Sequence, residues 1–179
     1  WSPKQVELCE TLVRLTPGSD MAYLLKTGSD STSAAVRLAR IATGRDRIVR
    51  WGYNGWHDWA CPEVPGIPAA VRDLTLVYEY GNIASLEEQF HRHPREIAAV
   101  VMMPFGDDRA TPGHLAEVQA VCREHGALLV LDEMRSGFRM RPGGVAPELG
   151  VEPDLTTYSK ALANGYPISA IVGRQRWMQ

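Results

Sequence analysis

The stretch that most constrains the fold is an unbroken apolar run, Leu128–Leu131, that ends in the carboxylate of Asp132. A run of this length and composition is typical of a strand buried on both faces of a parallel sheet. A second short segment begins at Pro153 and ends in Lys160. Ligands of open α/β sheets bind outside the carboxyl ends of the strands. The sequence therefore predicts that Asp132 and Lys160 lie at the same crevice.

Strands and helices alternate along the rest of the chain, because short apolar runs alternate with segments that carry apolar residues at helical spacing. Helices are predicted over 4–15, 27–42, 85–91 and 113–125, and further strands over 21–25, 48–51, 74–78, 97–103 and 168–172. Residues 62–73 are rich in proline and glycine and are predicted to form a surface loop. The alternation indicates an α/β fold in which helices flank a parallel or mostly parallel sheet.

Composition excludes several classes of function. The 179 residues carry a net charge of −2 and no local cluster of Lys or Arg, so nothing predicts nucleic-acid binding. No apolar run approaches the roughly 20 residues of a membrane span. Three scattered cysteines favour reduced thiols in a cytosolic protein over a disulfide framework. Because the chain starts at Trp1, we expect it to be a piece of a longer protein.

The segment Gly28-Ser29-Asp30 follows a predicted strand and opens a predicted helix. Free backbone N–H groups at a helix N-terminus bind anions, and a phosphate group fits such a site. The alternative is that Ser29 or Asp30 only caps the helix. The chain has neither a P-loop lysine nor a G-x-G-x-x-G motif, so a nucleotide-binding domain is not supported.

Two further residues follow predicted strands and have side chains that could contact a cofactor. Tyr53 stands in an aromatic loop, where its ring could stack on a planar cofactor or cap the core. Lys160 could form a Schiff base or be a surface lysine. His57, His91 and His93 lack partners at metal spacing, so they are interpreted as solvated or hydrogen-bonded side chains and no metal site is predicted.

The agreement between these residues favours one cofactor. Gly28 and Ser29, Tyr53, Asp132 and Lys160 all fall at predicted carboxyl ends of strands. One crevice would then offer contacts for a phosphate, a ring face, a ring nitrogen and an aldehyde carbon. These are the contacts that pyridoxal 5'-phosphate needs, with an acid beside its pyridinium nitrogen.

The sequence also resembles the class III aminotransferases of the fold type I pyridoxal-phosphate enzymes, and their glutamate-1-semialdehyde 2,1-aminomutase branch in particular. The resemblance covers nearly the whole chain, with the motifs in family order. The matching stretches are Thr27-Gly28-Ser29-Asp30 with Val36-Arg37-Leu38-Ala39-Arg40, Thr43-Gly44-Arg45-Asp46, Tyr53-Asn54-Gly55-Trp56, Leu131-Asp132-Glu133 with Ser136-Gly137-Phe138-Arg139, and Pro153-Asp154-Leu155 with Ser159-Lys160-Ala161-Leu162.

The resemblance implies a role for each candidate residue. Lys160 would carry the cofactor as a Schiff base, Asp132 would pair with the pyridinium nitrogen, Gly28 and Ser29 would hold the phosphate, and Tyr53 would pack on the ring. It further implies that residues 1–179 are part of the large cofactor-binding domain, with the C-terminal small domain outside this chain. The whole enzyme is then expected to be a cytoplasmic homodimer acting on a small-molecule amine or amino acid.

Four positions depart from the usual pattern of the family near the cofactor and substrate. Asn54 replaces histidine, Met103 replaces a glutamate before proline, Met134 replaces valine, and Arg135 replaces a small polar residue. These changes favour a transaminase with its own substrate. The alternatives are the aminomutase, which transfers the amino group within one molecule, and a non-catalytic relative that uses the sheet as a scaffold.

Overall fold

The computed structural model describes residues 2–106, 111 and 113–179 and is built around a seven-stranded sheet. The strand order is β1-β7-β6-β5-β4-β2-β3. The strands are β1 (Met21–Leu25), β2 (Arg47–Trp51), β3 (Thr75–Val77), β4 (Ile97–Met102), β5 (Leu128–Asp132), β6 (Leu155–Tyr158) and β7 (Ser169–Gly173). The helices are α1 (Pro3–Leu15), α2 (Gly28–Thr43), α3 (Ala69–Arg72), α4 (Ile83–Arg92), α5 (His114–His125) and α6 (Gln175–Met178), with short 3₁₀ turns at Asp58–Ala60 and Lys160–Ala163.

The prediction of a mostly parallel sheet is confirmed. Strands β3, β2, β4, β5 and β6 pair in parallel, and the pairs of β7 with β6 and with β1 are antiparallel. The carboxyl ends of β4, β5 and β6 therefore meet at one edge of the sheet, which is where Asp132 stands.

Helices cover both faces of the sheet. Every residue of β4 and β5 is buried, which explains why both segments read as continuous apolar runs. On one face, α4 and α5 pack against side chains that include Val100 and Leu129. On the other, α2 packs against a cluster that includes Val101 and Val130. Successive residues of a strand thus pack into different cores, because their side chains point alternately to the two faces of the sheet.

Helix α2 is fixed at its start by a capping box. The Thr27 hydroxyl accepts a hydrogen bond from the Asp30 N–H at 3.2 Å, and the Asp30 carboxylate accepts one from the Thr27 N–H at 2.8 Å. The alternative that Ser29 or Asp30 caps the helix is therefore confirmed for Asp30 only, which acts from the third helical position while Thr27 is the N-cap. The first helical residues are Gly28 and Ser29.

Two local expectations differ from the structure. The predicted surface loop 62–73 contains α3, a single turn of helix that begins after Pro68. The segment that ends in Lys160 is a strand only as far as Tyr158, and Lys160 opens a 3₁₀ turn with φ of 47°. Within the described residues, none of the helices combines the length and the apolar character needed to span a membrane.

Candidate active site

Asp132 is the last residue of β5 and lies opposite Thr157 of β6. Its side chain is almost completely buried, with 1% of its surface exposed. The Asn54 amide donates a hydrogen bond to Asp132 Oδ2 at 2.9 Å, and the Met134 N–H donates one to Oδ1 at 3.0 Å. Each carboxylate oxygen is therefore oriented by a neutral donor.

Burial raises the pKa of Asp132 to about 6, although the hydrogen bonds from Asn54 and Met134 and the charge of Lys160 act to lower it. Loss of hydration dominates because a carboxylate removed from water is strongly disfavoured unless a cation pairs with it. A positively charged group placed against Asp132 would thus hold it ionised.

Two buried polar atoms beside Asp132 have no hydrogen-bond partner within the described residues. They are Asn54 Oδ1 and Thr157 Oγ1. Buried polar atoms are nearly always paired, so an unpaired atom requires an explanation. Asn54 donates a hydrogen bond to Asp132, and Thr157 lies opposite Asp132 on β6. Both unpaired atoms therefore belong to residues that adjoin the buried carboxylate.

The N-terminus of α2 faces the same region. Thr27 accepts the N–H of Asp30, whereas the described residues supply no acceptor for the N–H groups of Gly28 and Ser29. A Cβ atom on Gly28 would lie 2.9 Å from Met134 Sδ, so a larger residue here would require the Met134 side chain to move. The Ser29 hydroxyl accepts a hydrogen bond from the Trp56 N–H at 3.3 Å. The result is a small cradle lined by backbone donors.

Of the five candidate site residues, Tyr53 and Lys160 are exposed to solvent. The ring of Tyr53 is 63% exposed in the loop after β2. Lys160 is also exposed and adopts the left-handed backbone region, which is uncommon for a residue with a side chain. Such strained residues concentrate at functional sites.

Two adjoining cavities connect these residues. A cavity of about 240 Å³ is lined by residues that include Gly28, Ser29, Tyr53, Asp132 and Lys160. A larger cavity of about 610 Å³ shares Tyr53, Asp132 and Lys160 with it. The structure thus brings together all five residues that the sequence proposed for the site.

Sequence reasoning missed the groups that hold the site in place. Thr27 forms the capping box, and Asn54 donates a hydrogen bond to Asp132. The spacing of Thr27 and Asp30 is a recognisable capping signal. His57 is hydrogen-bonded, since its Nδ1 lies 2.7 Å from Ser33 Oγ. The described residues contain no group of three or more His, Cys, Asp or Glu that could hold a metal ion.

Comparison with known proteins adds independent information. The chain is 39% identical to 3-aminobutyryl-CoA aminotransferase of Cloacimonas acidaminovorans over 181 residues, covering 98% of this chain and 44% of that protein. It is 34% identical to glutamate-1-semialdehyde 2,1-aminomutase of Desulfovibrio desulfuricans over 195 residues, covering 99% of this chain and 46% of that protein. The chain therefore spans less than half the length of either relative.

A solved structure agrees in fold as well as in sequence. The FumI protein of Sphingopyxis sp. MTA144, in its PLP internal aldimine form, superposes with a TM-score of 0.89 at 38% identity. The match covers 99% of this chain and 45% of that one. The family profile described as Aminotransferase class-III matches residues 52–179, which is more than half of the chain. The chain therefore belongs to the class III aminotransferases, a family of fold type I enzymes whose cofactor is pyridoxal phosphate.

Proposed function

We propose that this chain is the cofactor-binding part of an enzyme that transfers an amino group with pyridoxal phosphate. The observation that carries the proposal is the pair of adjoining cavities that share Tyr53, Asp132 and Lys160. The smaller cavity would hold the cofactor, and the larger one would receive the substrate.

The residues present fit the cofactor. Gly28 and Ser29 offer backbone donors at a helix N-terminus, where an anionic phosphate is favoured. Gly28 has no side chain, so its backbone N–H can be approached closely by a ligand. Asp132 is a buried carboxylate whose two hydrogen-bond donors, Asn54 and Met134, are neutral, so a protonated ring nitrogen would offset its charge. Tyr53 would cover the ring and Lys160 would hold the aldehyde carbon.

Each residue would then have a defined task. When bound, the cofactor supplies a conjugated ring that delocalises the electron pair left by a broken bond at the substrate carbon. Asp132 would hold a proton at the ring nitrogen. Lys160 Nζ, as a free amine, would remove a proton from the substrate carbon and later return it. Tyr53 limits access of water to one ring face.

The proposal also covers the substrate, the oligomeric state and the cellular location of the whole enzyme. We expect it to act on a small amine or amino acid, to form a homodimer and to work in the cytoplasm. The dimer is supported by large apolar side chains that remain exposed in this chain, among them Ile41, Trp56 and Tyr166. An intact lysine and carboxylate in one cavity argue against a non-catalytic scaffold.

A second candidate activity is the intramolecular transfer carried out by glutamate-1-semialdehyde 2,1-aminomutase. It is supported by the 34% identity with the enzyme of Desulfovibrio desulfuricans. The departures at Asn54 and Met103 favour a transaminase, because both residues lie in the site: Asn54 lines the smaller cavity and Met103 the larger one.

Borohydride reduction tests the role of Lys160. In the protein that contains this chain, reduction should fix the cofactor to Lys160, since this lysine lines the cavity that also contains Asp132. Peptide mapping of the reduced protein measures the position of the label. Lys160→Ala should abolish both labelling and amino transfer.

The chain provides its own control in Lys26, which stands next to the Thr27 cap. Lys26→Ala should leave the label in place. A label found on Lys26 or Lys4 would overturn the assignment of Lys160.

The pH dependence of stability tests Asp132 in the cofactor-free protein. Its folded pKa of about 6 lies above the ordinary value of 3.8, so the folded state binds the proton more tightly. Asp132 therefore stabilises the fold while protonated, and this contribution of about 3 kcal/mol is lost as the pH rises from about 4 to about 6. Denaturant unfolding at each pH should show the loss in the wild type.

Asp132→Asn should remove this pH-dependent component, because the amide does not ionise. Asp58→Asn changes an exposed aspartate outside both cavities and is the matched control. If Asp132→Asn keeps the full fall in stability between these pH values, Asp132 is not the buried acid that the proposal requires.

The supply of a keto acid separates transaminase from aminomutase. A transaminase needs a second, keto substrate to complete its cycle, whereas an aminomutase completes it on one molecule. We expect sustained amino transfer only when a keto acid is added, measured as the amino acid formed from that keto acid. Sustained conversion of glutamate-1-semialdehyde without any keto acid would reverse the preference.

A further inference from the structure

Strand β2 carries a charged side chain in a buried position. Arg50 is the next-to-last residue of the strand and is only 8% exposed. Its side chain points to the same face of the sheet as that of Ile48, which packs in a cluster with Trp59 and Ala60. Burying a guanidinium costs free energy, and an apolar residue of similar volume often stabilises a protein as well or better. Stability alone therefore does not explain an arginine at this position.

The contacts of Arg50 lie at the two ends of the loop formed by residues 52–63, which we call the Tyr53 loop. Its Nη1 donates to the Gly52 carbonyl at 2.6 Å, and its Nη2 donates to both carboxylate oxygens of Glu63, at 2.7 and 2.6 Å. Charge-assisted hydrogen bonds of this kind are stronger than neutral ones. One buried side chain of β2 thus holds the first and the last residue of the loop.

The Tyr53 loop supplies three groups to the candidate site. The ring of Tyr53 lines both cavities. The Asn54 amide donates the 2.9 Å hydrogen bond to Asp132. The Trp56 N–H donates to the hydroxyl of the second residue of α2. The position of this loop therefore sets how Asp132 is solvated and what covers the proposed cofactor cavity.

The middle of the loop has its own anchor, but its start does not. The Thr32 hydroxyl of α2 donates to the Asn54 carbonyl at 2.8 Å. Gly52 has a φ of 85°, and glycine has access to more backbone conformations than other residues. The Gly52 carbonyl belongs to the peptide group that leads into Tyr53, so the hydrogen bond from Arg50 fixes the orientation of that peptide.

We propose that Arg50 is a positioning residue of the site. By binding the Gly52 carbonyl and the Glu63 carboxylate, it holds the Tyr53 loop where Asn54 bonds to Asp132. The inference rests on the proposed function only in taking the adjoining cavity as the cofactor site. The contact between Asn54 and Asp132 is present without a cofactor, so it can be tested separately.

The first test measures the pH dependence of stability in the cofactor-free protein that contains this chain, with the variants Arg50→Gln and Glu63→Ala. The hydrogen bond from Asn54 acts to lower the pKa of Asp132. If the loop shifts and this bond is lost, the folded pKa rises further. The fall in stability that the wild type shows between about pH 4 and about pH 6 should then extend about one pH unit higher, a tenfold change in proton affinity.

The sign of the shift separates positioning from a direct effect of charge. Removing the positive charge of Arg50 would by itself raise the pKa of a nearby carboxyl, whereas removing the negative charge of Glu63 would lower it. Displacement of the loop raises the pKa of Asp132 in both variants. An upward shift in Glu63→Ala therefore reports the loop and not the field of the missing charge.

The remaining charges around Asp132 are the same in all variants. Among the described residues they are Glu133, which follows it in the chain, Lys160, whose charge acts on its pKa, and Arg135 and Arg139, which line the larger cavity with it. Each variant therefore reports the change at its own position.

The same strand provides the matched controls. Arg47, at the opposite end of β2, pairs with Glu96 at 2.7 Å. Arg47→Gln and Glu96→Ala remove an ion pair of the same type that lies outside both cavities. Both variants should keep the pH window of the wild type.

The second test measures cofactor binding, by absorbance titration of the cofactor-free protein with pyridoxal phosphate. The apparent Kd should rise at least about tenfold in Arg50→Gln and in Glu63→Ala, because both the Asn54 donor and the Tyr53 ring are displaced. The control variants should bind as the wild type does. The Glu63 side chain is 64% exposed, so Glu63→Ala decides the question if Arg50→Gln does not fold.

The outcomes separate the two proposals. If the pH window does not move upward in Glu63→Ala, or if that variant binds pyridoxal phosphate as tightly as the wild type, the role of Arg50 is overturned and the proposed function stands. If the wild type binds no pyridoxal phosphate, the proposed function fails, and the pH window alone then decides whether Arg50 positions the loop.

Discussion

The site depends on one buried carboxylate. Asp132 ends a strand that is inaccessible on both faces, and its side chain is held by the Asn54 amide and the Met134 N–H. Two neutral hydrogen bonds offset only part of the cost of removing a charge from water, and this is why the pKa of Asp132 rises. A sheet that buries an acid in this way favours a ligand that brings a positive charge to it.

The surrounding structure fixes the groups that would hold such a ligand. The capping box at Thr27 directs the first N–H groups of α2 toward the same edge of the sheet, and Glu133 fixes the turn that follows β5. Asn54 has a further consequence. An amide carries no charge, so Asn54 does not titrate itself, whereas a histidine in its place would.

Much of this arrangement could be predicted from the sequence, and the reasons are local. The apolar run that ends in Asp132 and the glycine turn at Gly28 identify strand ends, and parallel strands bring their ends together. Strand direction was harder to predict, since every residue of β7 is buried and continuous burial does not distinguish parallel from antiparallel pairing. The left-handed backbone of Lys160 and the unpaired hydroxyl of Thr157 depend on tertiary contacts that no single segment encodes.

The most direct measurement of the central claim is the protonation state of the cofactor nitrogen that Asp132 would face. Nitrogen-15 NMR of the protein that contains this chain, loaded with cofactor labelled at the ring nitrogen, reports that state. We expect the ring nitrogen to be protonated in the wild type at and around neutral pH, and unprotonated in Asp132→Asn. An unprotonated nitrogen in the wild type would contradict it, because the buried carboxylate would then have no cation to pair with.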